Sequence, residues 1–192
     1  GNKRSTHKDE LYSARVQFIK WFEVNDRDGF DLFGTDWDKR HFGNGFLRYL
    51  NRYQTLRKLL AQRFPSYKGT VKSKKDVMRN YKFSLCYENI KDHDGYITEK
   101  LFDSFFAGCI PIYRGAGNIS DHVPENCYID MRKFSSFSEA HSYIKSVSEK
   151  EHDKYLDSIQ EFLDNSAALQ FSADFFAETI VSLILRDLSG SS

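Results

Sequence analysis

Net charge, long apolar runs and cysteine are all scarce in this chain of 192 residues. Its 28 basic and 27 acidic residues leave a formal charge of +1. A protein whose main partner is nucleic acid usually carries a strong positive charge, so the sequence argues against that class. No apolar run approaches the roughly 18 residues that a bilayer-spanning helix requires, so no transmembrane segment is predicted in this chain.

The cysteines Cys86, Cys109 and Cys127 are odd in number, and two of them lie in or beside predicted buried strands. They are therefore expected to be buried thiols rather than a disulfide framework. Free thiols favour a reducing compartment, which indicates a cytoplasmic protein of bacterial type. The alternative, in which two of the three form one bridge, stays open.

Apolar residues make up 40% of the chain and aromatic residues 16%, which is enough for one hydrophobic core. No internal repeat or low-complexity tract divides the sequence. We therefore predict a single domain over residues 1–188, followed by a short tail at 189–192.

The stretch Tyr81–Gly115 (YKFSLCYENIKDHDGYITEKLFDSFFAGCIPIYRG) is the most informative part of the chain. Residues 81–87 are mostly apolar and aromatic, as is typical of a buried strand. Thr98 can cap a following helix, and Gly108 suits the end of that helix. Residues 110–113 form a second compact apolar run. This order predicts a βαβ unit and hence an α/β fold with a parallel sheet flanked by helices.

In open α/β sheets, ligands bind where the carboxyl ends of strands meet the amino ends of helices. Here that place holds Glu88, Asn89, Tyr96, Thr98, Glu99 and Lys100. The start of a helix attracts anions, and Lys100 adds a positive charge, so a diphosphate is favoured there. Glu99 suits ribose, because a carboxylate accepts two hydrogen bonds from vicinal hydroxyls. The plainer alternative is that Glu99 complements the helix dipole and Lys100 is a solvated surface charge.

Three strings in this region, YKFSLCYEN, GYITEKLFDSFFAG and IPIYRGA, closely resemble the signature of the α-1,3/1,4-fucosyltransferases, glycosyltransferase family 10. The family pattern is roughly Y-K-F-x-L-x-F-E-N, G-Y-[VI]-T-E-K-[LI] and [IV]-P-[IV]-Y-x-G. Weaker resemblance surrounds Arg15 in LYSARVQFIKWF, FDLFG at 30–34 and PENCYIDMRKF at 124–134. The resemblance covers roughly residues 10–165.

The resemblance implies the donor-binding half of an enzyme with two facing Rossmann-like domains, the GT-B architecture. The implied reaction transfers L-fucose from GDP-fucose to an oligosaccharide or glycoconjugate, with inversion and without a metal. By matching motifs, Arg15 and Lys100 would hold the diphosphate, Glu99 the ribose, and Asn89 and Tyr96 the rest of the donor. The implied donor-binding set is Arg15, Glu88, Asn89, Tyr96, Thr98, Glu99 and Lys100.

Two departures from the family affect what the resemblance can imply. The family's catalytic base and most acceptor contacts belong to an amino-terminal domain. We expect that domain to be absent from this chain, because GNKRSTHK resembles the loop after the donor domain's first strand. No base is therefore nominated, and a separate polypeptide or a homo-oligomer could supply the acceptor half. Arg114 stands where relatives often carry Trp; it either adds a charge beside the donor or lies at the surface.

Other interpretations also stay open. The chain could be a non-catalytic nucleotide-sugar-binding module that acts with a separate partner, or its donor could be another nucleotide sugar. Asp92-His93-Asp94 resembles the Asp-x-Asp metal motif of another glycosyltransferase architecture, and its carboxylates could hold a divalent cation. The six histidines show no HxxxH or HExxH spacing, so we expect surface or hydrogen-bonded core residues. The implied setting is bacterial surface polysaccharide synthesis, in the cytoplasm or at the membrane periphery, or the Golgi lumen for a eukaryotic enzyme.

Apolar spacing and capping signals predict further helices. They are expected at residues 9–23, at 47–63, from Ser136 to about Val147, from Ser148 to about Leu163 and at 173–188 after a Ser172 cap. The apolar residues of the last helix are expected to be buried against another surface. In a two-domain enzyme such a helix often packs across the domain junction. Without that partner, some of its apolar surface is expected to be exposed.

Overall fold

The strands form two parallel sheets. The computed structural model describes Ser5 and residues 7–43 and 46–189. The first sheet pairs β1 (Leu32–Phe33) with β2 (Tyr67–Gly69), and the second has the order β3 (Phe83–Tyr87), β4 (Ile110–Arg114), β5 (Ile129–Asp130). The α-helices are α1 (Tyr12–Asn25), α2 (Gln54–Leu59), α3 (Lys74–Met78), α4 (Glu99–Ala107), α5 (Phe137–Ser146), α6 (Glu149–Asp164) and α7 (Ala173–Ser189). Most of the predicted tail, and most of the opening GNKRSTHK, lie outside the described residues.

The predicted βαβ unit is confirmed as β3, α4 and β4. The two strands run parallel in a register that pairs Phe83 with Ile110 and Tyr87 with Arg114. Because both strands run the same way, their carboxyl ends meet at one edge of the sheet. The start of α4 follows the loop that leaves this edge, which places the predicted site residues together.

Helices cover both faces of the three-stranded sheet. On one face, Cys86 of β3 and Tyr113 of β4 pack with residues of α4 and α6. On the other face, the neighbouring residues Tyr87 and Ile112 pack with α1 and α5. Successive strand residues point to opposite faces, so one pair of strands supplies both cores. The predicted α/β class, with parallel strands flanked by helices, is confirmed.

Helix α1 packs against both sheets. Phe18 and Phe22 belong to the core of the three-stranded sheet, whereas Ile19 packs with Leu32 and Trp37 beside the two-stranded sheet. A helix anchored on two sides has little freedom to rotate, because its buried side chains interdigitate with both cores. The helix that carries the predicted arginine ligand is therefore fixed in place.

The continuous helix predicted for residues 47–63 is wrong. Phe46–Arg52 is a 3-10 helix, and only Gln54–Leu59 is α-helical. Leu59 is 80% exposed, so the leucines do not form one buried stripe. Arg57 is the buried residue of α2 instead.

Capping predictions are partly confirmed. Ser148 and Glu151 form a complete capping box at the start of α6. Ser136 accepts a hydrogen bond from the amide of Glu139, but the Glu139 carboxylate accepts from Ser135 rather than from Ser136. The start of α5 is therefore capped through a related arrangement that uses the preceding serine.

Helix α7 is exposed along its length. Its large apolar side chains in contact with solvent are Phe175, Phe176, Ile180, Val181, Leu183, Ile184, Leu185 and Leu188. The Ser172 hydroxyl accepts the Phe175 amide at 3.1 Å, which confirms the predicted cap. No helix among the described residues is both long and apolar enough to cross a membrane. All three cysteines are buried free thiols, as predicted.

Gly108 is expected to be required at the end of α4, where its φ is 74°. An added Cβ meets nothing within 4 Å, so Gly108→Ala tests the left-handed backbone alone. We expect the free energy of unfolding in urea to fall by about 1–2 kcal/mol. Gly43→Ala is the matched control, since its Cβ also meets nothing and its φ is not left-handed. Equal stability of the two variants would contradict this account.

Candidate functional site

Glu88 is the centre of the site, immediately after β3, and it is completely buried. Its Oε1 accepts the backbone N–H of Thr98 at 2.8 Å, and its Oε2 accepts the Thr98 hydroxyl at 2.7 Å. Lys100 Nζ also donates to Oε2, at 3.0 Å. A buried carboxylate needs such partners to offset the loss of hydration. Glu88 therefore joins the end of β3 to the start of α4.

The Thr98 side chain does not cap α4 as predicted. Thr98 occupies the N-cap position, but its side chain makes no cap hydrogen bond. Its hydroxyl donates to Glu88 and accepts from Lys100 Nζ at 2.9 Å. The Thr98 hydroxyl bonds to the buried carboxylate instead of capping the helix. Hydrogen bonds to ionised groups are about twice as strong as neutral ones, so this arrangement is favoured over a cap.

Lys100 is held rather than freely solvated, with 25% of its side chain exposed. Its charge is matched by that of Glu88, so the pair together contributes no net charge. What the pair does provide is a fixed ammonium group at the start of a helix, where backbone N–H groups already favour an anion.

Arg15 supplies a second positive charge. Its Nε and Nη2 are buried and have no hydrogen-bond partner among the described residues. Burial lowers the pKa of Arg15, while Tyr12 and Glu88 counter that effect. The Tyr12 ring lies 5.1 Å from the guanidinium carbon. Buried polar groups without partners are rare, so these two nitrogens mark Arg15 as a candidate ligand contact.

The loop after β3 is paired with the segment that leads into α1. Asn89 O accepts the amide of Leu11 at 2.9 Å, and Leu11 O accepts the amide of Arg15. The Asn89 side chain donates to the Tyr96 hydroxyl at 3.3 Å. These bonds connect Arg15, Asn89 and Tyr96, which sequence reasoning grouped from motifs that lie far apart in the chain.

Glu99 differs from Glu88 in its surroundings. Its side chain is 70% exposed, and its carboxylate lies 4.0 Å from Lys100 Nζ. The two glutamates thus divide into a buried carboxylate that organises the site and an exposed one that remains available to a ligand. The structure brings Glu88, Thr98 and Lys100 into direct contact, and the donor-contact roles of the whole predicted set stay predictions.

Sequence reasoning interpreted Gly115-Ala116-Gly117 as letting the backbone approach the donor or as simply turning the chain, and it missed the close packing of Gly115 against Glu88. A Cβ at this position would lie 2.4 Å from Glu88 Cγ and 2.5 Å from the Tyr113 hydroxyl oxygen. Tyr113 in turn accepts the amide of Ala116 at 3.0 Å. Only glycine lets the chain after β4 pass this close to the buried carboxylate.

Sequence reasoning also missed the pair Asp130 and Arg132. The Arg132 guanidinium donates twice to the Asp130 carboxylate, at 2.9 Å from Nε and 2.7 Å from Nη2, and its Nη1 donates to the Gly117 carbonyl. Hydrogen bonding and charge from Asp130 raise the pKa of Arg132. This pair fixes the loop that follows β4, and the only available signal was the weak match around PENCYIDMRKF.

Arg114 is partly buried and forms an ion pair with Asp92, with 3.5 Å between Nη2 and Oδ1. It is therefore not a free surface charge, although whether it reaches a donor stays a prediction. Asp92 also lies 3.9 Å from Lys91, so two cations already neutralise it. Within the described residues, Asp92 and Asp94 belong to no group of three close metal-ligating side chains.

This geometry defines an α/β domain with a candidate anion site at the carboxyl edge of a parallel sheet. The sequence model described as "Glycosyltransferase family 10 (fucosyltransferase) C-term" matches residues 35–164. The chain belongs to that family, which confirms the predicted resemblance.

Similar proteins include an α-(1,3)-fucosyltransferase of Helicobacter pylori, which is 36% identical over 47% of this chain and 19% of its own length. An α-(1,4)-fucosyltransferase of Arabidopsis thaliana is 44% identical over 37% of this chain and 18% of its own length. A solved α1,3-fucosyltransferase with GDP-fucose is 25% identical and has a TM-score of 0.44, with 82% of this chain and 50% of that one covered. The match thus spans about half of that solved chain and about a fifth of each curated relative.

Glu88→Gln tests whether the buried carboxylate organises the site. The amide removes the charge beside Lys100 and turns one acceptor into a donor that faces Thr98. We expect the free energy of unfolding in urea to fall by about 1–3 kcal/mol, the scale for an unsatisfied buried polar group. Glu99→Gln is the control and should change stability by less than about 0.5 kcal/mol, as is usual at exposed positions. Similar losses for both variants would argue against a central role for Glu88.

Proposed function

We propose that this domain binds GDP-fucose and forms the donor half of a fucosyltransferase with the GT-B architecture. The proposed reaction transfers L-fucose to a hydroxyl of an oligosaccharide or glycoconjugate, with inversion at the anomeric carbon. The two buried guanidinium nitrogens of Arg15, Nε and Nη2, carry the proposal, because they need an acceptor that the described residues do not provide. Membership of the family supports the diphosphate of GDP-fucose as that acceptor.

The leaving group of this reaction is GDP, whose diphosphate gains negative charge in the transition state. Arg15 and Lys100 would hold the diphosphate from two sides, and the first N–H groups of α4 would add a third source of positive potential. Donors that are fixed before the reaction stabilise developing charge without reorganising. We therefore propose that GDP departs without the help of a metal ion.

Glu99 would accept hydrogen bonds from the ribose hydroxyls, since it is the exposed carboxylate of the site. Asn89 and Tyr96, joined by their own hydrogen bond, would contact another part of the donor. Glu88 acts on the donor through Lys100 and Thr98, because its complete burial keeps it from direct contact. From β3 to α4, the chain thus supplies first a positioning residue, Glu88, and then the residues proposed to contact the donor.

The acceptor hydroxyl would attack the anomeric carbon from the face opposite GDP, and a carboxylate would take its proton. We assign that base to the acceptor half of the enzyme, which faces the donor half in the GT-B architecture. The setting that we propose is the cytoplasm, because three buried free thiols are compatible with a reducing compartment.

Arg15→Met separates a ligand-binding role from a structural one. The substitution removes buried donors that have no partner among the residues the structure describes, so the stability of the free domain should stay the same or rise. Affinity for GDP should fall by about 10- to 100-fold, as expected for a lost charge-assisted contact. Thermal melts and titration calorimetry measure the two effects. Arg27→Met, at an exposed arginine, should change neither; a large loss of stability with unchanged affinity in Arg15→Met would contradict the proposal.

The proposed function is tested by titration calorimetry with GDP-fucose, GDP-mannose, GDP and UDP-galactose in buffer with EDTA. We expect binding that prefers GDP-fucose and persists without metal. Lys100→Ala should weaken GDP-fucose by roughly 1.5–3 kcal/mol, while Lys145→Ala, on the exposed side of α5, should not. Glu99→Ala should weaken GDP more than inorganic diphosphate, because only GDP offers ribose hydroxyls.

Three outcomes would count against this assignment. Absence of binding to every nucleotide would remove donor binding altogether. Preference for UDP-galactose would reassign the donor, and a strong requirement for Mn²⁺ would contradict the metal-free diphosphate site. Equal losses of GDP and diphosphate in Glu99→Ala would exclude the ribose contact.

A further inference from the structure

The segment before α1 runs antiparallel to the loop after β3. Glu10 bridges to Ile90, the amide of Lys91 donates to Asp9 O at 2.8 Å, and the amide of Leu11 donates to Asn89 O. These three contacts share one register, which places each residue of the segment opposite a defined residue of the loop. Beyond these contacts both segments turn: the Glu10 amide donates to His7 O at 3.2 Å, and Asp92 has a φ of 56°.

Three metal-ligating side chains lie close together at the outer end of this ribbon. The turn from His7 to Glu10 folds His7 back beside Asp9, whose amide donates to His7 Nδ1. The His93 ring lies beside that of His7. In agreement with this geometry, one potential ligand atom from each of the three lies within 4.8 Å of the others.

We propose that His7, Asp9 and His93 bind a zinc ion that ties the segment before α1 to the loop after β3. Two imidazoles and one carboxylate are a common zinc ligand set, with the fourth position left to water. In a tetrahedral zinc site the ligand atoms are about 3.3 Å apart, so these side chains need to close by at most about 1.5 Å. Imidazole nitrogen also favours zinc over magnesium or calcium.

The surroundings allow the three side chains to make this movement. His7 and His93 are exposed, and their ring centroids are 6.2 Å apart with an interplanar angle of 54°. The His7 Nδ1 accepts the Asp9 amide at 3.2 Å, so the unprotonated nitrogen already faces Asp9. A metal ion would replace that hydrogen bond with a coordinate bond at the same lone pair.

The proposed zinc site is separate from the diphosphate site. Its ligands precede α1 and follow Asp92, whereas the proposed diphosphate contacts lie on α1 and α4. Zinc would stabilise the folded ribbon by mass action, because the unfolded chain does not hold the three ligands together. The proposal therefore does not depend on the identity of the nucleotide.

The test is calorimetry with ZnCl₂ on protein first treated with a chelator and dialysed. Wild type should bind one zinc per chain and melt at a higher temperature with zinc than without. His93→Ala and His7→Ala, on opposite strands, should each lose at least about tenfold in zinc affinity, since even partners outside the coordination shell are worth roughly 10- to 100-fold. Asp94→Asn, one residue from His93 and outside the cluster, should bind zinc as wild type does.

Cobalt substitution gives an independent readout, because Co²⁺ in a tetrahedral site absorbs visible light strongly. That absorption should appear in wild type and Asp94→Asn and vanish in both histidine variants. The proposal is overturned if wild type binds zinc more weakly than about 1 mM, or if either histidine variant retains the wild-type affinity. Thermal melts without metal show whether each variant folds. If His93→Ala does not fold, His7→Ala, at an exposed position, provides the test.

Discussion

The hydrogen bonds of the buried Glu88 carboxylate are the interaction on which the rest of the site depends. Glu88 accepts from the Thr98 amide, the Thr98 hydroxyl and Lys100, so one side chain fixes both the first residue before α4 and the cation in its first turn. The Glu88 amide also donates to the Arg114 carbonyl at 2.8 Å, which extends the ladder between β3 and β4 by one bond. Displacing the carboxylate would therefore disturb a strand, a helix start and a charged group together.

This constraint explains why residues of the same chemical type have different surroundings and roles in the site. Glu88 is buried and Glu99 is exposed, although both are glutamates in neighbouring family motifs. Lys100 is paired with the Glu88 carboxylate, whereas two buried nitrogens of Arg15 have no hydrogen-bond partner within the described part of the chain. Such a site keeps hydrogen-bond donors in reserve for an anion. It also holds Lys100 in position before the anion arrives.

The sequence predicted most of the central unit, because the signals there are local. The apolar runs of β3 and β4 and the glycine at the end of α4 each act within a few residues. The prediction failed where a distant partner decides the outcome. Thr98 lost its capping role to a carboxylate ten residues earlier, and the close approach of Gly115 to Glu88 depends on how two strands pair.

The interrupted helix near α2 has the same kind of cause. Its leucine spacing predicted a buried stripe, but the Arg57 Nε donates to the Arg40 carbonyl at 3.0 Å, and Asn51 exchanges two hydrogen bonds with the backbone of Phe42. These contacts turn polar residues toward the rest of the domain and leave leucines outside. Periodicity alone carries no information about such partners, because they belong to a loop that precedes the helix.

The pairing of Leu11 with Asn89 also has a consequence for how the domain folds. The β3–α4–β4 unit is contiguous in sequence, so its contacts can form after closing only short loops. Arg15 reaches the same site through a much longer loop, and long loops close more slowly and at greater entropic cost. The proposed nucleotide site would therefore form in stages, with a partial anion site on the early βαβ unit and full affinity only after α1 docks.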